Sequence, residues 1–402
     1  MHVALYSPAW PFGSAPNGIV TYVDSLRSEL LSQGHRVSVV SSKVRHGCPD
    51  RDIHAAAAGP WGTLAEGVSV WLLKRPPSVE RYGQAIARSF RHIHERSPID
   101  VIEMEESFGF AAQVAARTRV PVVVKLHGPA FLTMTAEERA SPLGLDRVRR
   151  EGAALARIPA IISPSRCTLA ETLASHDLHP PIAEHVVNPL AVDADAPRWN
   201  VDRRSAETIL FVGRFDAVKG GDLVIAAFAR MLASKPNLRL TFVGPDTGLA
   251  LDGRRRVHLR EFVAATGGAA LAERISILGV LPPAEIGPLR AAAALTVVAS
   301  RRESQGYTAL EAMLQGCPVV CTDTSGLGEI VEHGVTGLKA RPDDPDDLAA
   351  QMQRIIDDPS LAAALGAAGR RYVVDRHSPA RVVGQTLDVY RRAIALHKGS
   401  VR

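Results

Sequence analysis

Thr208-Ile209-Leu210-Phe211-Val212 is a short apolar run, and Gly213-Arg214-Phe215-Asp216-Ala217-Val218-Lys219-Gly220-Gly221 follows it directly. A brief β-branched and aromatic run of this kind reads as a buried strand. The glycines mark a turn, and the residues from Gly221 to Ala233 carry the apolar spacing of a helix. Strand, turn and helix in that order build a β-α-β unit, so the sheet they enter is parallel.

The same rhythm runs outward in both directions. Toward the N-terminus it predicts strands at Val3–Tyr6, Val37–Val40, Val68–Leu73, Asp100–Glu103, Val120–Leu126 and Ala160–Ser163. Helices fit Ile19–Leu31, Arg81–Glu95, Phe108–Arg117 and Ala136–Leu155. Toward the C-terminus, strands fit Leu238–Val243, Ile275–Leu278, Leu295–Val298 and Pro318–Thr322, with a helix over Tyr307–Gln315. Between Pro180 and Arg204 the pattern lapses into Pro, Asn, Asp and Ala. A domain boundary is therefore expected near residue 195, giving domains over 1–195 and 196–377. The last helical pattern, Ala380–Ala395, follows Ser378-Pro379, and the segment 378–402 is expected to pack back on the first domain. The predicted fold class is α/β: two doubly wound, Rossmann-like domains facing across a cleft. Ligands of open α/β sheets bind at the C-terminal ends of the strands, so residues there are the ones to weigh.

Composition narrows the function. The chain has 402 residues, 46% hydrophobic and 22% charged, which excludes disordered, collagen-like and small disulfide-stapled classes. Lys and Arg number 47 against 42 Asp and Glu, a net charge of +5 that suits anionic small molecules. With 5% aromatics, nucleic acid is not expected as a partner. Cys48, Cys167, Cys317 and Cys321 form no CxxC pair and read as reduced thiols of a cytoplasmic protein. The N-terminus does not read as a signal peptide, and no run of 18 apolar residues occurs. Peripheral contact with the inner face of a membrane stays open, with Arg147, Arg149 and Arg150 as one cationic patch for it and Arg254, Arg255 and Arg256 as a second run; most such runs are solvated faces.

Two stretches carry the strongest chemistry. In Gly213–Gly221, turn amides, a helix N-terminus, Arg214 and Lys219 converge at one strand end, a set that suits a phosphate without a metal; the alternative is a solvated basic turn. Lys219 is followed by Gly, so this is not a Walker loop, and it does not spell GxGxxG. In Ser300–Met313, Glu303 closes the loop after a strand and Glu311 lies eight residues on, inside a helix. Carboxylates accept paired hydrogen bonds from vicinal sugar hydroxyls, while the amides of Gly306, Tyr307 and Thr308 suit a phosphate. A helix cap at Glu303 and an internal ion pair at Glu311 explain the same residues equally well. His127 sits at the end of an apolar strand with Gly128 behind it, as a sugar contact or as a loop histidine bound to backbone. Glu103, Glu105 and Glu106 crowd another strand end before Ser107; a helix cap ranks first for them, acceptor contact second and glycoside hydrolysis last. Asp323, Asp343, Asp344, Asp346 and Asp347 lack calcium-loop spacing, and no metal is expected.

Gly213-Arg214-Phe215, Lys219-Gly220, Glu303-(x7)-Glu311-Ala312-Met313 and Gly316-Cys317-Pro318-Val319-Val320 together resemble the retaining glycosyltransferases of family 4, which have the GT-B fold. Asn17-Gly18-Ile19, Lys125-Leu126-His127-Gly128, Ser163-Pro164-Ser165, Asn188-Pro189, Gly328-Glu329-Ile330-Val331 and Gly334-Val335-Thr336-Gly337 extend the resemblance over nearly the whole chain. The resemblance implies that Arg214 and Lys219 hold the diphosphate of a UDP- or GDP-linked sugar. It implies that Glu311 binds the ribose and that Glu303 faces the donor sugar, with Gly306, Tyr307 and Thr308 beside it. Gly18 would let backbone approach the diphosphate or the acceptor, and His127 would lie against the donor sugar. Catalysis would rest on His127, Glu303, Arg214 and Lys219, with no cofactor beyond the donor. Asn17, Glu103 and Glu105 are the candidate contacts to a glycan or lipid-linked acceptor. Where the family often has paired glycines, this chain has Asn17-Gly18. A sugar-nucleotide epimerase and a non-catalytic nucleotide-sugar-binding protein are the competing readings.

Overall fold

The computed structural model describes all residues except 12–16, 45–49, 51, 57–78, 193–195, 203, 251–254 and 401–402. The expected strand Val68–Leu73, the point near residue 195, Cys48 and Arg254 lie outside the described residues. The chain forms two compact units: Met1–Leu132 with Glu138–Pro189 and Pro379–Arg402, and Thr133–Glu137 with Leu190–Ser378.

The first unit holds a seven-stranded sheet: β1 (His2–Ser7), β2 (Arg36–Ser41), β3 (Ile53–Ala55), β4 (Val101–Glu105), β5 (Val122–Lys125), β6 (Ala160–Ser163) and β7 (Ile182–His185), in the order β3-β2-β1-β4-β5-β6-β7. Every pairing is parallel. Its helices include α1 (Gly18–Ser32), α2 (Val79–Arg96), α3 (Phe110–Thr118) and α4 (Pro142–Leu155). On α2, Gly83, Ile86, Phe90 and Ile93 are buried at spacings of three and four, the apolar stripe that seats the helix on the core. The strand order reverses between β1 and β4, so the loops leaving their C-terminal ends diverge and open the sheet's switch point there.

Three local expectations change. The helix expected over Ala136–Leu155 is broken at Ser141, whose hydroxyl accepts from the Gly144 amide at 3.1 Å with Pro142 opening the new helix. The helix expected from Phe108 begins at Phe110, because Phe108 is left-handed (φ 59°) and Gly109, not Ser107, precedes the first turn. β3 and β7 were hidden by length and polarity: three and four residues, with Ile182 the one buried position of β7.

The second unit holds a six-stranded parallel sheet: β8 (Thr208–Val212), β9 (Arg239–Val243), β12 (Ile275–Gly279), β13 (Leu295–Val298), β14 (Val319–Thr322) and β15 (Leu338–Ala340), ordered β12-β9-β8-β13-β14-β15. The short pair β10 (Leu249–Ala250) and β11 (Arg256–Val257) forms a separate antiparallel ribbon. Helices α5 (Gly221–Leu232), α6 (Pro283–Ala292) and α7 (Tyr307–Gln315) follow β8, β12 and β13. Ile209, Phe211, Val224, Phe228, Phe242 and Val297 fill one core layer at or near zero exposure. The order reverses between β8 and β13, which brings loop 213–220 beside loop 299–306.

Candidate functional site

Residues from the two strongest sequence stretches meet at the switch point of the second unit. The Lys219 ammonium donates to Glu303 Oε2 at 2.5 Å, joining the loop after β8 to the loop after β13. Asp216 shapes the first loop from within: Oδ1 accepts from the Lys219 backbone amide at 2.7 Å and Oδ2 from Arg214 Nε at 2.6 Å. The close approach of the loops depends on Gly220, which has φ +68° and whose added Cβ would lie 1.9 Å from the Ala299 carbonyl oxygen. Glu303 also accepts from Ser300 Oγ at 3.3 Å. Lys219 and Glu303 are partly exposed, whereas Arg214 is half exposed.

Gly306, with φ +92°, turns the chain into α7 and leaves the first-turn amides of Tyr307 and Thr308 at the same strand end. No side chain caps this helix, so Glu303 is not its cap. Thr308 Oγ1 reaches back to the Val212 carbonyl at 3.5 Å. Glu311 lies deeper on α7 and forms an ion pair with Arg290 of α6, a side chain only 7% exposed. The internal ion pair weighed for Glu311 is thus present, although a third of the carboxylate side chain stays open. The Tyr307 hydroxyl is buried without a hydrogen-bond partner, and burial together with the Glu311 carboxylate pushes its pKa well above the ordinary phenol range. Asp216 and Arg290 were not singled out in the sequence, since an Asp in a turn and an Arg in a helix carry no motif.

One strand beyond the switch point of the first unit, His127 and Gly128 follow β5. Their backbone amides donate to Glu106 Oε2 and Oε1 at 2.9 and 2.7 Å, so one carboxylate fixes the whole turn. The imidazole packs edge-on to Tyr22, with ring centroids 4.8 Å apart. Burial, reinforced by Lys125, lowers its pKa to about 3, so the ring is neutral at physiological pH. Lys125 itself is 1% exposed, donates to the Val186 carbonyl at 2.5 Å and is lowered to about 7 by burial against the opposing pull of Glu103.

The candidate acceptor contacts are placed differently from expectation. Glu103 is 3% exposed, with Oε1 taken by the Tyr22 hydroxyl and Oε2 by the Tyr390 hydroxyl, each at 2.8 Å. It braces β4 against α1 and the C-terminal helix Pro379–Ser400 rather than presenting itself to a ligand. Glu105 is 6% exposed and accepts from Ser107 Oγ at 2.7 Å, which again leaves an internal brace and no helix cap. Burial raises Glu105 to about 7, and burial with Glu105 and Glu151 raises Glu106 to about 8. Asn17 is the N-cap of α1, its Oδ1 accepting from the Ile19 amide at 2.9 Å, and Gly18 is the exposed first residue of that helix. Of the expected cationic patch, Arg149 and Arg150 both pair with Asp146, at 2.8 and 2.7 Å, and Arg147 pairs with Glu151 at 2.9 Å. No helix among the described residues is long and apolar enough to cross a membrane.

Residues 17–191 match the model of the glycosyl transferase 4-like domain, and residues 197–372 match that of glycosyl transferases group 1. A D-inositol 3-phosphate glycosyltransferase of Geodermatophilus obscurus is 30% identical over 88% of this chain and 81% of its own length. One from Thermobispora bispora is 34% identical, and there the match spans about half of each protein: 54% of this chain and 52% of the relative. Among solved structures, a sucrose-phosphate synthase from Thermosynechococcus elongatus superposes with a TM-score of 0.75 at 23% identity, covering 98% of this chain and 99% of that one. Anabaena HepE in complex with UDP-glucose gives 0.68 at 19% identity, covering 96% and 99%. The two doubly wound parallel sheets and the two successive family matches lead to one conclusion: the chain belongs to the group 1 glycosyltransferases, family 4, of GT-B fold.

Proposed function

We propose that the chain transfers a hexosyl unit, with retention at the anomeric carbon, from a nucleoside diphosphate sugar to a hydroxyl of a glycan or lipid-linked acceptor. The observation that carries this reading is the Lys219–Glu303 contact at the β8/β13 switch point, with uncapped α7 amides beside it. When the anomeric C–O bond breaks, its electron pair passes to the leaving β-phosphate oxygen. Lys219, Arg214 and the α7 amides are suited to hold that growing charge, and preorganised donors of this kind contribute about 3–4 kcal/mol each. Glu303 offers acceptor oxygens to the hydroxyls of the donor sugar, and Glu311 does the same for the ribose. The incoming hydroxyl bonds to the anomeric carbon on the face the phosphate leaves, and its proton passes to the departing phosphate. His127, neutral and fixed by Glu106, fits a hydrogen bond to a sugar hydroxyl better than proton transfer. In this reading the second unit binds the donor and the first unit the acceptor, at the cytoplasmic face of a membrane where polysaccharide or glycolipid is built.

A UDP-linked donor is favoured by the ligand of Anabaena HepE. Inositol 3-phosphate is a second acceptor reading, favoured by relatives of that name that align over 81% and 86% of their length. The test incubates the protein with UDP- and GDP-hexoses, with EDTA present, and with inositol 3-phosphate, lipid-linked sugar or no acceptor. Acceptor-dependent release of nucleoside diphosphate supports transfer. A strict requirement for Mg2+ or Mn2+ contradicts the cation grip, and a new nucleotide sugar formed without acceptor contradicts transfer in favour of epimerisation.

A further inference from the structure

The Lys219 loop has a second anchor that no motif marks. Arg301 follows β13 by three residues and binds four groups at once. Its backbone amide donates to the Val218 carbonyl at 2.8 Å, and Nη1 donates to the Ala217 carbonyl at 2.7 Å. Nη1 and Nη2 grip the two oxygens of Asp222, in the first turn of α5, at 2.9 and 2.7 Å. Nε donates to Asp343 Oδ1 at 2.6 Å, reaching the loop after β15. A planar guanidinium with its nitrogens thus committed has little left for a ligand. What it does hold, on both sides, is the segment that carries Lys219: Ala217 and Val218 just before it and Asp222 just after.

We infer that Arg301 is a positioning residue for diphosphate recognition, clamping the Lys219 loop onto the Glu303 loop so that the ammonium faces the pyrophosphate. The inference rests on the proposed role of Lys219. Its distinguishing consequence is that loss of the clamp weakens recognition of phosphates and spares recognition of the nucleoside, since Glu311 and Arg290 stand on other elements.

Calorimetric titration of the full-length protein with UDP and with uridine tests this in wild type, Arg301→Gln, Arg301→Lys, Asp222→Asn and Lys219→Ala. Arg301→Gln is expected to lower UDP affinity tenfold or more and to leave uridine affinity within twofold. Arg301→Lys is expected to fail to restore UDP binding, because an ammonium cannot span two carboxylate oxygens and a carbonyl in one plane. Asp222→Asn, which keeps the shape but loses the charged fork, lowers UDP affinity severalfold and keeps the inference testable if Arg301→Gln does not fold. Equal losses for UDP and uridine would mark Arg301 as merely structural and overturn the inference, as would full rescue by lysine. If Lys219→Ala loses UDP binding while Arg301→Gln and Asp222→Asn keep it, the clamp alone is wrong. If Lys219→Ala also keeps it, the role of Lys219 fails first.

Discussion

Replacing Lys219 by alanine tests the centre of the proposed mechanism, and the structure sets the size of the effect. The Lys219 side chain is 29% exposed and its ammonium lies 2.5 Å from the carboxylate of Glu303, a side chain 17% exposed, so it works in a partly desolvated place. A preorganised donor so placed is worth about 3–4 kcal/mol on the leaving-group charge, or roughly 10²–10³ in kcat. Arg214 and the α7 amides remain, which sets an upper limit on the loss. The folded state also suffers, because the Glu303 carboxylate loses its short bond and is left with the long one from Ser300 Oγ at 3.3 Å. Leaving a mostly buried group short of one partner costs about 1–3 kcal/mol, which shifts the melting midpoint by about 2–4 °C per kcal/mol in a unit of this size. The variant should therefore fold. Initial rates of acceptor-dependent nucleoside diphosphate release, measured over a range of donor, give kcat and KM separately. A kcat within tenfold of wild type, in a protein that melts cooperatively, would refute the assignment of Lys219 to the leaving phosphate.

Other consequences are equally open to measurement. Gly220→Ala should destabilise the second unit by at least about 2 kcal/mol in chemical denaturation, since its Cβ meets a carbonyl oxygen at 1.9 Å on a left-handed backbone; Gly34→Ala, at φ +78° with open space around it, is the milder control. Tyr390→Phe should lower stability by about 1.5–3 kcal/mol, because it strips Oε2 of the buried Glu103 of its hydroxyl donor, and an unchanged melting midpoint would contradict that role. The His127 ring signal should not titrate between pH 5 and 8, and an NMR midpoint near 6.5 would contradict its burial. With a folded pKa of about 3 against 6.5 unfolded, the unfolded chain takes up a proton the folded one refuses, so this group weakens stability as pH falls below 6.5. Glu105 and Glu106, raised to about 7 and about 8, act in the opposite sense: their contribution weakens as pH climbs from the ordinary carboxylate range toward those values.

Sequence alone revealed the elements whose signal is local and missed those whose meaning is tertiary. Thr208–Val212, Leu295–Val298, Ala160–Ser163 and Tyr307–Gln315 have the expected bounds: three are compact apolar runs, one followed by Gly213 and one set between Pro159 and Pro164, and the helix is bracketed by Gly306 and Gly316. The edge strands β3 and β7 are short and hardly buried, so they leave no period to read. The same division holds at the site. Lys219 and Glu303 lie 84 positions apart, and their motifs were visible while their contact was not. Glu103 and Glu105 misled for the complementary reason: a carboxylate at a strand end looks solvent-facing until Tyr22, Tyr390 and Ser107 are seen to close over it. Arg301 and Arg290 act wholly through partners distant in sequence, so no spacing rule finds them.

The two sheets reverse strand order in the same way, one between β1 and β4 and the other between β8 and β13, yet they use their switch points differently. In the second unit the charges at that point are part-exposed: Lys219, Arg214 and Glu303 all keep some access to solvent, so under the proposed mechanism a ligand that takes their partners' place leaves no fully buried charge behind. In the first unit the titratable groups are sealed in. Glu103, Glu105, Glu106, Lys125 and Glu151 all lie below 7% exposure and are spent on tyrosines, a serine, backbone amides and a carbonyl. A buried polar network so placed is costly to rearrange, because any lost partner leaves an unsatisfied polar group where water cannot reach it. Such a network fixes shape, and the shape it fixes is the turn of His127 and Gly128. One topology thus presents charge at one strand end and fixed geometry at another, a division that suits the proposed reaction between a diphosphate-linked donor and a hydroxyl.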